Sequence, residues 1–202
     1  MQTVHLFPKV IGLFDLNRDL TNSELTTINL NLDELLKNRE NSISKNKYVL
    51  NDPSLLNLKQ FMDNSLNEYL QNVLEENTQL RITQSWLNKI TDGEHHHAHC
   101  HPNSYLSGVF YIKTDDDDKI MFFSNEPRNN YYEPEFKNWN MINAKSWWLP
   151  TPQNSLLIFN SDLFHSVPPQ PHNNDRVSLS FNTFPIGNLG TDTNATYLPL
   201  SR

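Results

Sequence analysis

The chain has one cysteine, Cys100, and no surplus of basic residues: 16 lysines and arginines stand against 23 aspartates and glutamates in 202 residues, a formal net charge of −7. A single cysteine excludes an internal disulfide framework and fits a reducing compartment. Nucleic acids and anionic membranes are bound through clustered lysine and arginine, so the acidic balance, with a pI near 5.5, argues against both as partners. No run approaches the ~20 apolar residues that a membrane span requires. The start, Met1-Gln2-Thr3-Val4-His5, lacks the basic stretch and apolar core of a secretory signal. A cytoplasmic location is therefore expected. One core is sufficient at this length, and the expectation is a single domain, 1–202, with a helical preface.

Residues 1–79 and 80–185 differ in texture. Residues 9–14 read as a short strand. Over 53–74 the apolar Leu58, Phe61, Met62, Leu66, Tyr69, Leu70, Val73 and Leu74 recur every three or four positions, which predicts an amphipathic helix. Asp52 and Pro53 form its N-cap and first helical position. A weaker helical pattern spans 23–36, with Thr21, Asn22 and Ser23 as competing caps. From Leu80 onward short runs rich in aromatic and β-branched residues (81–87, 107–112, 120–123, 155–159 and 176–181) predict strands of an antiparallel sandwich or barrel. Thr114 to Lys119, with four successive aspartates, read as a solvated hairpin loop, because consecutive carboxylates lack the spacing and glycine of a calcium loop. Residues 124–152, punctuated by Pro127, Pro134, Pro150 and Pro152, read as a long surface loop or a lid.

Five of the eight histidines fall in Glu94-His95-His96-His97-Ala98-His99-Cys100-His101. In an extended segment His95, His97, His99 and His101 share one face, and His96, Ala98 and Cys100 the other. Cys100 is then a poor partner for its neighbours. Imidazoles at alternate positions suit a divalent metal, so His99 and His101 are the candidate pair. His165, after the apolar run 156–159 and the turn Asn160-Ser161-Asp162, is the candidate third ligand. His5 and His172 are expected as surface or hydrogen-bonded residues. In the last strand Arg176, Ser178, Ser180 and Asn182 lie on one face and Val177, Leu179 and Phe181 on the other. A buried guanidinium demands a partner, and a carboxylate ligand would meet its fork in two places, with the Ser178 hydroxyl as a further donor. An ordinary strand with its polar face in water fits the same pattern.

The order H-x-H, a distant histidine, then R-x-S resembles the Fe(II)- and 2-oxoglutarate-dependent oxygenases. Trp86-Leu87-Asn88, His99-Cys100-His101-Pro102-Asn103-Ser104 and Leu106-Ser107-Gly108-Val109-Phe110-Tyr111 are similar to an oxygenase family of bacteria and tailed phages, with its H-x-H-P-N-S and L-S-G-V-Y-Y pattern. The similarity continues through Leu157-Ile158-Phe159, Ser161, Leu163, His165 and Val167 to the segment 176–182. Asn154 departs from it where a glycine is common.

The resemblance implies a mainly β fold, a double-stranded β-helix of the jelly-roll or cupin-like kind, with core 80–185, flanking N-terminal α-helices and a tail 186–202. It implies Fe(II) on His99, His101 and His165, 2-oxoglutarate held by Arg176 and Ser178 with Tyr111 and Asn182 beside them, and molecular oxygen as co-substrate. His101 stands where most of the superfamily has Asp or Glu, so the expected site is three-histidine; Glu94, Asp162 or His97 are the alternatives for an added ligand. Tyr105, Tyr111, Trp86, Tyr131, Tyr132, Trp139, Trp147 and Trp148 are candidates for pocket wall, lid or core. The substrate, a small molecule or a protein, stays open, as does a homodimer. The location would be a host's cytoplasm were the chain phage-encoded. A metal- or carbohydrate-binding barrel without turnover, or a three-histidine dioxygenase that does not use 2-oxoglutarate, are the competing readings.

Overall fold

Aromatic and β-branched runs after Leu80 build two antiparallel sheets, and the histidine run joins the smaller. The large sheet runs β1 (Ile11–Asp15), β9 (Ser155–Asn160), β6 (Leu106–Lys113), β11 (Arg176–Leu189), β4 (Gln79–Ile90), β3 (Asn41–Ser44) and β2 (Leu35–Asn38), with β12 (Leu198–Leu200) paired to the far part of β11. The small sheet runs β5 (His96–His99), β10 (His165–Val167), β7 (Lys119–Phe123) and β8 (Ser146–Pro150). The computed structural model describes residues 1–4, 6–124, 134–169 and 174–200. His5, His172, Pro127, Tyr131 and Tyr132 lie outside the described residues. Among the described residues no helix is long and apolar enough to cross a membrane.

Two apolar layers follow from strand alternation. On one face of the large sheet Leu106, Phe110, Leu156, Ile158, Leu179 and Phe181 pack with Leu58, Met62, Leu66 and Tyr69 of helix α2 (Leu56–Tyr69). On the other face Val109, Tyr111, Leu157 and Phe159 meet Ile120 and Phe122 of the small sheet. With a layer on each face, β6 is buried from Leu106 through Ile112. Gly108 sits where an added Cβ would fall 2.1 Å from the Phe181 ring, so the β6–β11 pair closes on a glycine by necessity.

Helix α1 (Asn22–Leu32) is capped by Thr21, whose hydroxyl accepts from the Glu24 N–H while the Glu24 carboxylate returns to the Thr21 N–H, a capping box. It stops at Leu32, short of the expected 36, because Leu35 and Leu36 enter the β2–β3 hairpin. The second helix begins as a 3-10 turn at Pro53–Leu55, with Asp52 accepting from the Ser54 N–H, and ends as a π turn at Leu70–Leu74 before left-handed Glu75. Two loop expectations are corrected. The segment 115–118 is no hairpin: it carries the chain from the large sheet to the small one, and Asp118 is buried there, accepting from the Asp115 N–H. Residues 146–150, expected in a long loop, are β8, because Trp147 and Trp148 pair with Phe122 and Met121.

Candidate metal centre

The site forms where the polar end of β11 faces the histidines of the small sheet. His165 opens β10 opposite His99 of β5, while Val167 lies opposite His96, so two steps along β10 match three along β5. That mismatch is a β-bulge, and it breaks the two-residue alternation. His96, expected on the opposite face from His99, therefore stacks on it with ring centroids 4.2 Å apart and lines the same pocket. His101 lies just beyond β5, tied by its own N–H to the Ser161 carbonyl at 2.9 Å.

The structure brings His99, His101 and His165 together, with one ligand atom from each within 4.8 Å of the others. Their ring centroids are 4.4 to 5.1 Å apart. In each ring Nδ1 is already engaged. His99 Nδ1 donates to the His97 carbonyl and His165 Nδ1 to the Leu163 carbonyl, at 2.8 and 2.9 Å. His101 Nδ1 faces the Asn182 Oδ1 at 2.5 Å and the Ser107 hydroxyl at 3.0 Å. Fixing Nδ1 leaves Nε2 as the free lone pair and holds the ring plane, the usual support of a metal-binding histidine. Desolvation on burial lowers every one of these imidazoles, His101 to about 4 and His165 to about 3, so the rings are neutral near pH 7. Neutral imidazole is the metal-binding form.

Behind His101 lies a chain of hydroxyls. Ser107 Oγ contacts Ser161 Oγ and the Asn182 Oδ1, and Ser161 Oγ reaches Ser104 Oγ. Asn182, expected with the residues holding the co-substrate, stands behind His101. Sequence reasoning reached neither its contact nor those of Ser107 and Ser161, because they depend on the crossing of β6, β9 and β11. The only signal was the alternation that put Asn182 on the polar face.

Arg176 is 2% exposed, Ser178 is buried beside it, and both line the pocket with Tyr111. The guanidinium stands 5.2 Å from the centroid of the Tyr111 ring. Its Nε and Nη2 are buried without a hydrogen-bond partner, and the buried Tyr111 hydroxyl has only the Arg176 guanidinium beside it. Burial pushes the Tyr111 phenol up to about 12, against the opposing charge of Arg176, so it remains a donor. Unpartnered buried donors of this kind are costly, and an anionic carboxylate would satisfy them. The residues present thus fit a divalent metal beside a carboxylate ligand. Trp86 completes the wall next to His101, with ring centroids 6.0 Å apart.

The remaining candidates lie elsewhere. Glu94 is held by Lys37 and the Thr91 N–H, and Asp162 is paired with Lys9 at the surface. Both groups of converging ligand atoms found among the described residues consist of histidines alone. Tyr105 donates to Glu76 at 2.5 Å, away from the pocket. Trp139 and Trp148 are exposed, and neither they nor Trp147 line the pocket.

Residues 84–182, just under half of the chain, match the model of the family described as "Putative 2OG-Fe(II) oxygenase". No curated protein matches the chain in sequence. Among solved structures it is similar to the non-heme alpha ketoglutarate dependent epimerase SnoN from nogalamycin biosynthesis, at 11% identity and a TM-score of 0.61 over 96% of this chain and 89% of that one. It is also similar to HygX from Streptomyces hygroscopicus with nickel, 2-oxoglutarate and hygromycin B bound, at 12% identity and a TM-score of 0.59 over 88% and 83%. A Pseudomonas putida prolyl-4-hydroxylase shares 13% identity, with a TM-score of 0.52 over 86% and 92%. At such identities the likeness is one of fold, the paired antiparallel sheets of the double-stranded β-helix. His99, His101, His165, Arg176 and Ser178 all lie within the stretch that is similar to that family.

Proposed function

We propose that the chain is an Fe(II)- and 2-oxoglutarate-dependent oxygenase with an all-histidine metal site. The observation that carries this reading is the meeting of three neutral imidazoles with a buried guanidinium whose Nε and Nη2 have no partner. When bound, Fe(II) would be the centre at which O2, the oxidant, reacts: 2-oxoglutarate would supply two electrons and take one oxygen atom as it is converted to succinate and carbon dioxide, and the other oxygen atom would enter a substrate C–H bond. His99, His101 and His165 offer the metal three neutral donors. Arg176, with its unpartnered Nε and Nη2, would hold the far carboxylate of the co-substrate, with Ser178 and the protonated Tyr111 as donors beside it. Asn182 and Ser107 orient His101 from behind. Val109, Ile120 and Trp86 line the pocket and exclude water from it.

Without a carboxylate donor the site carries one more positive charge than the usual two-histidine, one-carboxylate set, which favours an anionic co-substrate. The H-x-H-P-N-S and L-S-G-V runs support assigning the chain to a branch of bacteria and tailed phages, and the proposed setting is a cytoplasm.

The deciding experiment adds Fe(II) and 2-oxoglutarate to the full chain without oxygen. A visible charge-transfer band is expected, absent in Arg176→Ala, and admitting oxygen should yield succinate. If calorimetry shows no 2-oxoglutarate binding and no band forms, the reading fails. Metal binding without succinate would favour a barrel without turnover.

A further inference from the structure

The histidine run is larger than the inner triad needs. Besides His99, His101 and His165, a second group converges: His96, His97 and His99 also bring ligand atoms within 4.8 Å of one another. The two groups share His99. Its Nδ1 is committed to the His97 carbonyl, so it has one lone pair to give and the two groups cannot be filled together.

We propose that His96, His97 and His99 form an outer capture site for a divalent first-row metal ion, from which the ion passes inward to His101 and His165 while His99 stays attached. This rests on the reading of the inner triad as the resident metal site.

Accessibility runs in the required direction. His96, His97 and His99 are half-buried, whereas His165 is 4% exposed. A hydrated ion cannot reach His165 with its water shell intact, and imidazoles arranged from rim to interior exchange for those waters one at a time. The bulge between β5 and β10 creates the arrangement by turning His96 onto the His99 ring. His97 Nδ1 lies 3.4 Å from Glu40 Oε2, and its Nε2 accepts from Nη1 of the exposed Arg39 at 3.5 Å, so an ion takes Nε2 by displacing that side chain into solvent. Beyond this contact Glu40 Oε2 is buried without a hydrogen-bond partner, and its carboxylate stands beside His97 to offset an arriving cation. An imidazole set of this kind selects iron, cobalt, nickel or zinc over magnesium and calcium.

The test uses the full chain and Co(II), followed by its visible absorption. Wild type should bind one ion at equilibrium. In His96→Ala/His97→Ala the inner triad is intact, so the final spectrum should be unchanged while loading slows about tenfold, a barrier raised by ~1.4 kcal/mol. In His165→Gln, with folding checked by thermal melting, one ion should still bind with an altered spectrum, and adding His97→Ala should abolish it. Loading at the wild-type rate in the double variant would overturn the proposal. So would two ions bound at once to the wild type. Loss of all Co(II) from the double variant, with binding kept in His165→Gln, would locate the resident ion on the outer histidines and overturn the inner triad, and the hand-over with it. Those outcomes separate the two readings.

Discussion

Arg176 gives a prediction whose sign reverses with ligand. In the protein alone its Nε and Nη2 are buried and unpartnered, each costing about 1–3 kcal/mol. The cation–π contact with Tyr111, worth up to ~2 kcal/mol when desolvated, returns part of this. Methionine has nearly the length of the arginine stem and no donors. Two such unpartnered donors cost about 2–6 kcal/mol together and the contact returns up to ~2, so Arg176→Met should stabilise the protein without co-substrate by about 1–4 kcal/mol, raising the melting temperature by roughly 2–4 °C per kcal/mol at this chain size. Saturating co-substrate should act oppositely. At about a hundred times its dissociation constant a ligand adds ~2.7 kcal/mol to the wild type, and the variant should gain almost none of it. Paired melts with Fe(II), with and without 2-oxoglutarate under nitrogen, measure both halves. A variant that loses more than about 1 kcal/mol in the absence of co-substrate would refute the reasoning, because it would mean that the guanidinium is a satisfied structural element.

Other expectations follow from the same geometry. Gly108→Ala drives a methyl into the buried Phe181 ring and should destabilise by about 1–3 kcal/mol in urea unfolding, with Gly108→Ala/Phe181→Leu recovering part of the loss; strict additivity of the two would contradict the contact. Asn182→Ala and Ser107→Ala should each weaken Co(II) binding about 10–100-fold by calorimetry, while an unchanged affinity would remove both from the support of His101. Protein without metal should lose stability as the pH falls. His96 and His165 are held at about 3 and His101 at about 4, below the ordinary value, so the unfolded chain binds more protons below ~6.5. Stability is then full above ~6.5 and declines toward pH 4, with a slope of up to ~1.4 kcal/mol per pH unit for each histidine. Melts that do not move between pH 7 and 5 would argue against neutral buried rings.

Much of the large sheet was legible because its chemistry is local. Runs such as Leu156-Leu157-Ile158-Phe159 are short, apolar throughout and bounded by turn-forming residues, the pattern of a strand buried on both faces. The β2–β3 hairpin was hidden because Leu35 and Leu36 continued a helical spacing, and nothing in Asn41-Ser42-Ile43-Ser44 announces a strand. The run His96-His97-Ala98-His99 has too little apolar character to declare itself as β5. Strand alternation grouped Arg176 with Ser178, and the structure sets both in the pocket wall. The bulge that turns His96 toward His99 lies beyond any rule of alternation, since it depends on how β10 is spaced against β5 across the 65 residues of chain between His99 and His165.

The small sheet is slight: β5 has four residues, β10 three, and β7 and β8 five each. His99 and His165 face each other across two of these strands, and His101 adds the segment that follows the first. An ion on those rings is therefore a cross-link between distant parts of the chain, and it joins the strands least able to hold together unaided. Metal occupancy should govern whether this sheet opens as an independent unit, with hydrogen exchange at β5 and β10 slowed by the ion and that of β6 and β11 scarcely changed.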